Sequence, residues 1–103
     1  MSFSARERDV TSSLDEFAAG LEKACPGKVT RLAQHSPASI EVHFLIDTPA
    51  ACIEIATRKG PPRVIASLAL PTLQVRFAPR RGAPEAIEAL IRHLDRSMHR
   101  GGG

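Results

Sequence analysis

Two hydrophobic spacings alternate along this chain, and each predicts its own kind of element. Phe3, Val10, Leu14, Phe17, Ala18 and Leu21 recur at intervals that place them on one stripe of a helix. Ser4 with Glu7, and Ser13 with Glu16, are two candidate capping boxes at its start. Val10-Thr11-Ser12-Ser13 is poor helical material, so the helix begins either near Ser4 or within residues 11–13. Its end is predicted at Cys25-Pro26-Gly27, because a proline disfavours helical backbone at the residue before it and a glycine suits the turn that follows.

The period then changes to two. In residues 39–47, Ile40, Val42, Phe44 and Ile46 alternate with Glu41, His43 and Leu45, the pattern of a half-buried strand. Residues 51–58 follow, with Ile53 and Ile55 inward and Cys52, Glu54 and Ala56 outward. Residues 63–70 read as a third strand, with Val64, Ala66, Leu68 and Leu70 set against Ile65, Ser67 and Ala69. An earlier strand near residues 28–34 is less regular, and its register stays open. Closing the loops at 47–50 and 59–62 pairs Phe44 with Ile53 and Ile53 with Leu68, which puts the apolar sets on one face. Beyond Pro71 the phase flips, since Leu73, Val75 and Phe77 are odd-numbered; a bulge, bend or break is expected there.

The last segment is helical from Pro84, with Glu85 and Glu88 near its positive end and Ile87, Leu90, Ile91, Leu94 and Met98 on one face. The order predicts an α+β two-layer sandwich. An N-terminal helix, a meander of about four antiparallel strands and a C-terminal helix follow one another, both helices on one sheet face. This arrangement resembles that of frataxin-like proteins, although the acidic first-helix surface of that family has no counterpart here. The resemblance is one of architecture and carries no function. Residues 1–100 are expected to form one domain, and the glycines at 101–103 a flexible tail.

Composition narrows the setting. With 103 residues there is room for one domain. No apolar run approaches the length that spans a bilayer, and no basic start precedes an apolar stretch, so the expectation is a cytoplasmic protein without a membrane partner. Two cysteines, Cys25 and Cys52, are too few for a disulfide scaffold and read as buried or half-buried thiols. Charge is uneven: residues 1–51 hold five basic and seven acidic side chains, residues 52–103 nine basic and four acidic. Four phenylalanines, with no Trp or Tyr, weaken any reading that stacks bases on exposed rings.

The candidate chemistry lies on the sheet face away from the helices. The expected register lines up His43, Glu54 and Ser67, flanked by Leu45, Cys52, Ala69, Glu41, Ala56 and Ile65. A catalytic triad needs its His between Ser and carboxylate; here Glu54 occupies the middle strand, and no helix N-terminus follows Ser67 to build an oxyanion hole. His93 and His99 would point about 120° apart on a helix, so they do not converge on zinc. No catalytic residue, metal or cofactor is predicted. His43, Leu45, Cys52, Glu54, Ile65 and Ser67 are instead the candidate contact residues for a protein partner or a second copy. Two neighbouring carboxylates are expected to raise the His43 pKa. Arg58, Lys59, Arg63, Arg76, Arg80 and Arg81 are the candidate anion-binding residues, with Arg92, Arg96 and Arg100 as a further stripe. The expected function is a small non-enzymatic protein-interaction module; the alternative is a weak, sequence-indifferent nucleic-acid or polyanion binder.

Overall fold

The computed structural model describes residues 6–32 and 41–102. The elements are β1 (Arg6–Val10), α1 (Leu14–Ala24), β2 (Val29–Arg31), β3 (Glu41–Asp47), β4 (Ala51–Lys59), β5 (Arg63–Ile65), β6 (Leu68–Leu70), β7 (Leu73–Gly82) and α2 (Pro84–Gly102). Five strands form one antiparallel sheet in the order β1-β7-β4-β3-β2, and β5 and β6 form a separate two-stranded hairpin. The α+β sandwich is therefore the observed architecture.

The second of the two predicted capping boxes starts α1. The Ser13 hydroxyl accepts from the Glu16 N–H at 3.1 Å, and the Glu16 carboxylate accepts from the Ser13 N–H at 3.1 Å. Two otherwise orphaned donors are satisfied together. The helix ends where Pro26 and Gly27 predict, and the Gly27 N–H donates to Glu22 at 2.7 Å. Ser4 itself lies outside the described residues, but a helix running on from it is ruled out, because Arg6–Val10 is a strand. Val10, placed on the helical stripe by spacing, belongs to β1.

Both helices pack on one face of the sheet. Phe17 and Leu21 of α1 and Ile87, Leu90, Ile91 and Leu94 of α2 share a core with Phe44, Ile46, Ile53, Ile55, Leu73, Val75 and Phe77. Parity decides which strand residues join it, because successive side chains leave opposite faces. Thr57 is buried with this set and donates to the Val42 carbonyl at 2.8 Å. At its far end α2 includes Gly101 and Gly102, two residues of the predicted tail; Gly103 lies outside the described residues.

Three features of the sheet differ from expectation. First, Arg6–Val10 is an edge strand paired with β7. Arg8 lies opposite Val75 and so faces the helices. Its guanidinium reaches Asp95 of α2 through two hydrogen bonds of 3.2 and 2.9 Å and lies 5.9 Å from the centre of the Phe77 ring. An inward-pointing charge of this kind also guards an edge against further pairing.

Second, the β3–β4 register is offset by two residues. Ile46 pairs with Ile53 and Asp47 with Cys52. Thr48 closes the turn: its N–H donates to the Ala51 carbonyl at 2.9 Å, and its hydroxyl accepts from the Ala51 N–H at 3.1 Å. Only Pro49 and Ala50 are left in the loop, in place of the four residues expected. An offset of two keeps parity, so the faces are unchanged.

Third, residues 63–70 are not a strand of the main sheet. They fold on themselves, with Ile65 opposite Leu68, Val64 opposite Ala69 and Arg63 opposite Leu70. Ala66 makes the turn at a φ of 54°. The neighbour of β4 is β7, from Lys59 opposite Leu73 to Ala51 opposite Gly82. The phase flip at Pro71 is the sign of this excursion: the chain leaves the sheet after Lys59 and resumes at Leu73. Leu68, expected in the core, is 62% exposed in consequence.

Candidate functional site

The sheet face away from the helices carries four cross-strand rows. They are Glu41–Arg58–Gln74–Asp9, His43–Ala56–Arg76–Glu7, Leu45–Glu54–Ala78 and Asp47–Cys52–Arg81. Ile65, Ser67 and Ala69 are absent from them, because the segment that holds them has left the sheet. What remains on this face is mainly charged.

The charges form a chain across three strands. His43 Nδ1 lies 2.6 Å from Glu54 and Nε2 lies 3.0 Å from Glu41. Arg80 bonds the other oxygen of Glu54, and Arg76 approaches Glu41 at 3.9 Å. An irregularity in the β4–β7 ladder at Cys52/Ile53 brings Arg80 into reach. Glu54 raises the His43 pKa above its ordinary 6.5, with Glu41 adding to the effect. The His43 bond in turn lowers the Glu54 pKa, and Arg80 reinforces this. Both ring nitrogens of His43 are occupied by carboxylates, so neither is open to take a proton from a substrate.

Cys52 is buried, and burial raises its pKa. It lies between Asp47 and Arg81 in the ladder, and those two close over it with an ion pair of 2.6 Å. Arg81 also donates to the carbonyls of Thr48 and Pro49. Cys25 is buried as well, its pKa raised by burial and then by Glu22. Neither thiol resembles a reactive one, since a nucleophilic thiol needs a lowered pKa. Leu45 is half-buried. Beside the charge chain, Glu7, Asp9, Arg58, Gln74 and Arg76 line an open depression of about 320 Å³, too shallow and polar to exclude water.

The predicted anion-binding residues divide into two groups. Arg80 and Arg81 are tied to Glu54 and Asp47, and Arg76 faces Glu41. Arg58, Lys59 and Arg63 are exposed where β4 runs out into the hairpin, and they form no ion pair among the described residues. On α2, Arg92 and Arg96 are exposed; the side chain of Arg100 lies outside the described residues. His93 donates through Nε2 to the Ala24 carbonyl at 2.8 Å, tying α2 to the end of α1. Among the described residues no group of three His, Cys, Asp or Glu side chains converges on a metal position, and no helix is long and apolar enough to cross a membrane.

The remaining surface feature is the hairpin itself. Val64 is 69% exposed, Ile65 51% and Leu68 62%. Its base is pinned: the Gly60 N–H donates to the Thr72 carbonyl at 3.1 Å, and the Thr72 hydroxyl to the Pro61 carbonyl at 2.8 Å. A Cβ at Gly60 would meet that hydroxyl at 2.7 Å, so any larger residue would have to displace it and its bond to Pro61. Sequence reading placed Ile65 on a sheet face. The cue to the hairpin was the phase flip at Pro71, which a looped-out segment produces as readily as the bulge, bend or break expected there. No protein-family model matches the chain, and no curated protein or solved structure matches it.

Proposed function

We propose that this chain is a small, non-enzymatic protein-interaction module whose contact surface is the β5–β6 hairpin. The observation that carries the reading is the exposure of Val64, Ile65 and Leu68 together on one eight-residue segment. Single exposed aliphatic residues are ordinary, but a cluster on a projecting element marks a surface that gains by being covered. Covering what remains exposed of each such side chain is worth about 1–2 kcal/mol. An isolated two-stranded hairpin is also only marginally stable, so a partner packed on it would stabilise the element. The charge chain on the open sheet face supports the non-enzymatic part, because its titratable groups are committed to one another.

A second reading is a weak polyanion binder, favoured by the exposure of Arg58, Lys59 and Arg63, which form no ion pair among the described residues. It predicts steep loss of binding with salt, since each neutralised phosphate releases counterions. Retention on nucleic acid would vanish when those three are removed and would survive removal of Arg80 and Arg81. One experiment separates the two readings: a pull-down from the native cell, with nuclease added to a parallel sample. The module reading expects the same bound protein in both samples. Loss of all bound material after nuclease treatment would replace it with the polyanion reading.

A further inference from the structure

We infer that the partner of the hairpin is a different protein chain that presents an apolar cleft rimmed by carboxylates. The inference rests on the hairpin being the contact surface and adds the chemistry of what receives it.

The shape of the partner follows from the pairing. Val64 and Ala69 leave one face of the hairpin, and Ile65 and Leu68 leave the other. Apolar side chains are exposed on both faces, Val64 on the first and Ile65 and Leu68 on the second. A flat partner surface would cover one face and leave the other in water. A cleft covers both. With three residues per strand the hairpin reaches about 10 Å at roughly 3.3 Å per residue, the depth of a shallow cleft. The pinned base presents it in one geometry, which lowers the ordering cost of docking.

The charge of the partner follows from the base. Arg58, Lys59 and Arg63 flank the root of the hairpin and are exposed. Inserting the hairpin brings them to the rim of whatever receives it. Carboxylates there would complement them, steering encounter and fixing orientation. A second copy of this chain is the competing occupant, and the identity of the adduct separates the two. A lipid surface fits poorly. Among the described residues no further strand pairs with the outward edges of β5 and β6, so their backbone N–H and C=O groups need partners that hydrocarbon cannot supply and a protein cleft can.

The test places a photoreactive side chain at position 68 of the full chain, expressed in its native cell. Irradiation should yield an adduct to one other protein, on a peptide in which aliphatic residues are flanked by Asp or Glu. Charge reversal by Lys59→Glu and Arg63→Glu, with Arg58→Gln so that no second carboxylate stands opposite Glu41, should cut the adduct yield about tenfold or more, with the thermal midpoint of the protein unchanged. The purified chain should not sediment with vesicles of equal parts phosphatidylcholine and phosphatidylserine. An adduct to a second copy or to lipid, an acid-poor adduct peptide, or a yield indifferent to charge reversal would each overturn the inference while leaving the hairpin as the contact surface. No adduct from position 68, or from a second probe at position 64, would overturn both.

Discussion

His43 bridges two carboxylates, 2.6 Å from Glu54 through Nδ1 and 3.0 Å from Glu41 through Nε2. A neutral imidazole has one N–H and can donate to only one of them; the imidazolium donates to both. The protonated ring is thus the form this geometry holds, and its pKa is raised in the folded protein. A group whose pKa rises on folding contributes stability that is fully present below its unfolded value and is lost as pH climbs through its folded value. Glu54 works in the opposite sense: its pKa is lowered, so its contribution is present above the unfolded value and is lost as pH falls through the folded one. The unfolding midpoint should therefore peak between the ordinary ranges of Glu and His and decline on both sides. The alkaline decline should disappear in His43→Gln, as read by thermal melts across pH. Proton-detected titration of the His43 ring should show its pKa above 6.5.

The helix-facing core predicts a sharp contrast between residues of similar chemistry. Ile55 and Leu94 are fully buried, whereas Leu68 is 62% exposed. Substituting Ile55 or Leu94 by Ala should cost about 2–5 kcal/mol in denaturant unfolding. Leu68→Ala should change stability by no more than about 0.5 kcal/mol. Equal costs at positions 68 and 55 would mean that residues 63–70 lie in the main sheet after all.

The hairpin turn carries strain that a substitution can release. Ala66 sits at a φ of 54°, a backbone region that costs a residue with a Cβ roughly 1 kcal/mol. Ala66→Gly should leave stability unchanged or raise it by up to about 1 kcal/mol. Gly60→Ala should lower it, because the added Cβ meets the Thr72 hydroxyl that bonds Pro61. Amide exchange over residues 60–72 reports the difference: slower in the first variant, faster in the second.

The Arg8–Asp95 pair ties the edge strand to the last helix. Both side chains are about a third exposed, so the pair is worth about 1 kcal/mol or less. Arg8→Ala should speed amide exchange in β1 well before it changes the global melt. Uniform loss of protection throughout the sheet would contradict an edge role for this strand.

Both helices, their faces and the α1 cap were legible in the chain because the 3.6-residue stripe and the Ser13–Glu16 box are local signals. The alternation of β3 and β4 was legible for the same reason. β1 was not: four of the five residues in Arg6–Val10 are charged, and its pairing depends on Phe77 and Asp95 far along the chain. The hairpin was hidden because Ala66-Ser67 contains no turn-favouring Gly or Asn and the alternation of 64–70 runs straight through it. The two-residue error in register came from Thr48, whose side chain closes a tighter turn than the loop length implied. The His43–Glu54 contact survived that error, since diagonal neighbours across strands remain within reach of long side chains. The charge of the open face did not, because Ile65 and Ala69 were assigned to it.

The most direct test of the account is to charge the hairpin. Val64→Asp with Leu68→Asp places one carboxylate on each face of the hairpin, at exposed and unopposed positions, so the purified protein should keep its far-ultraviolet spectrum and thermal midpoint. In a nuclease-treated pull-down from the native cell, the account predicts that the proteins retained by the natural chain are lost. An intact fold with the same proteins still bound would show that the contact surface lies elsewhere.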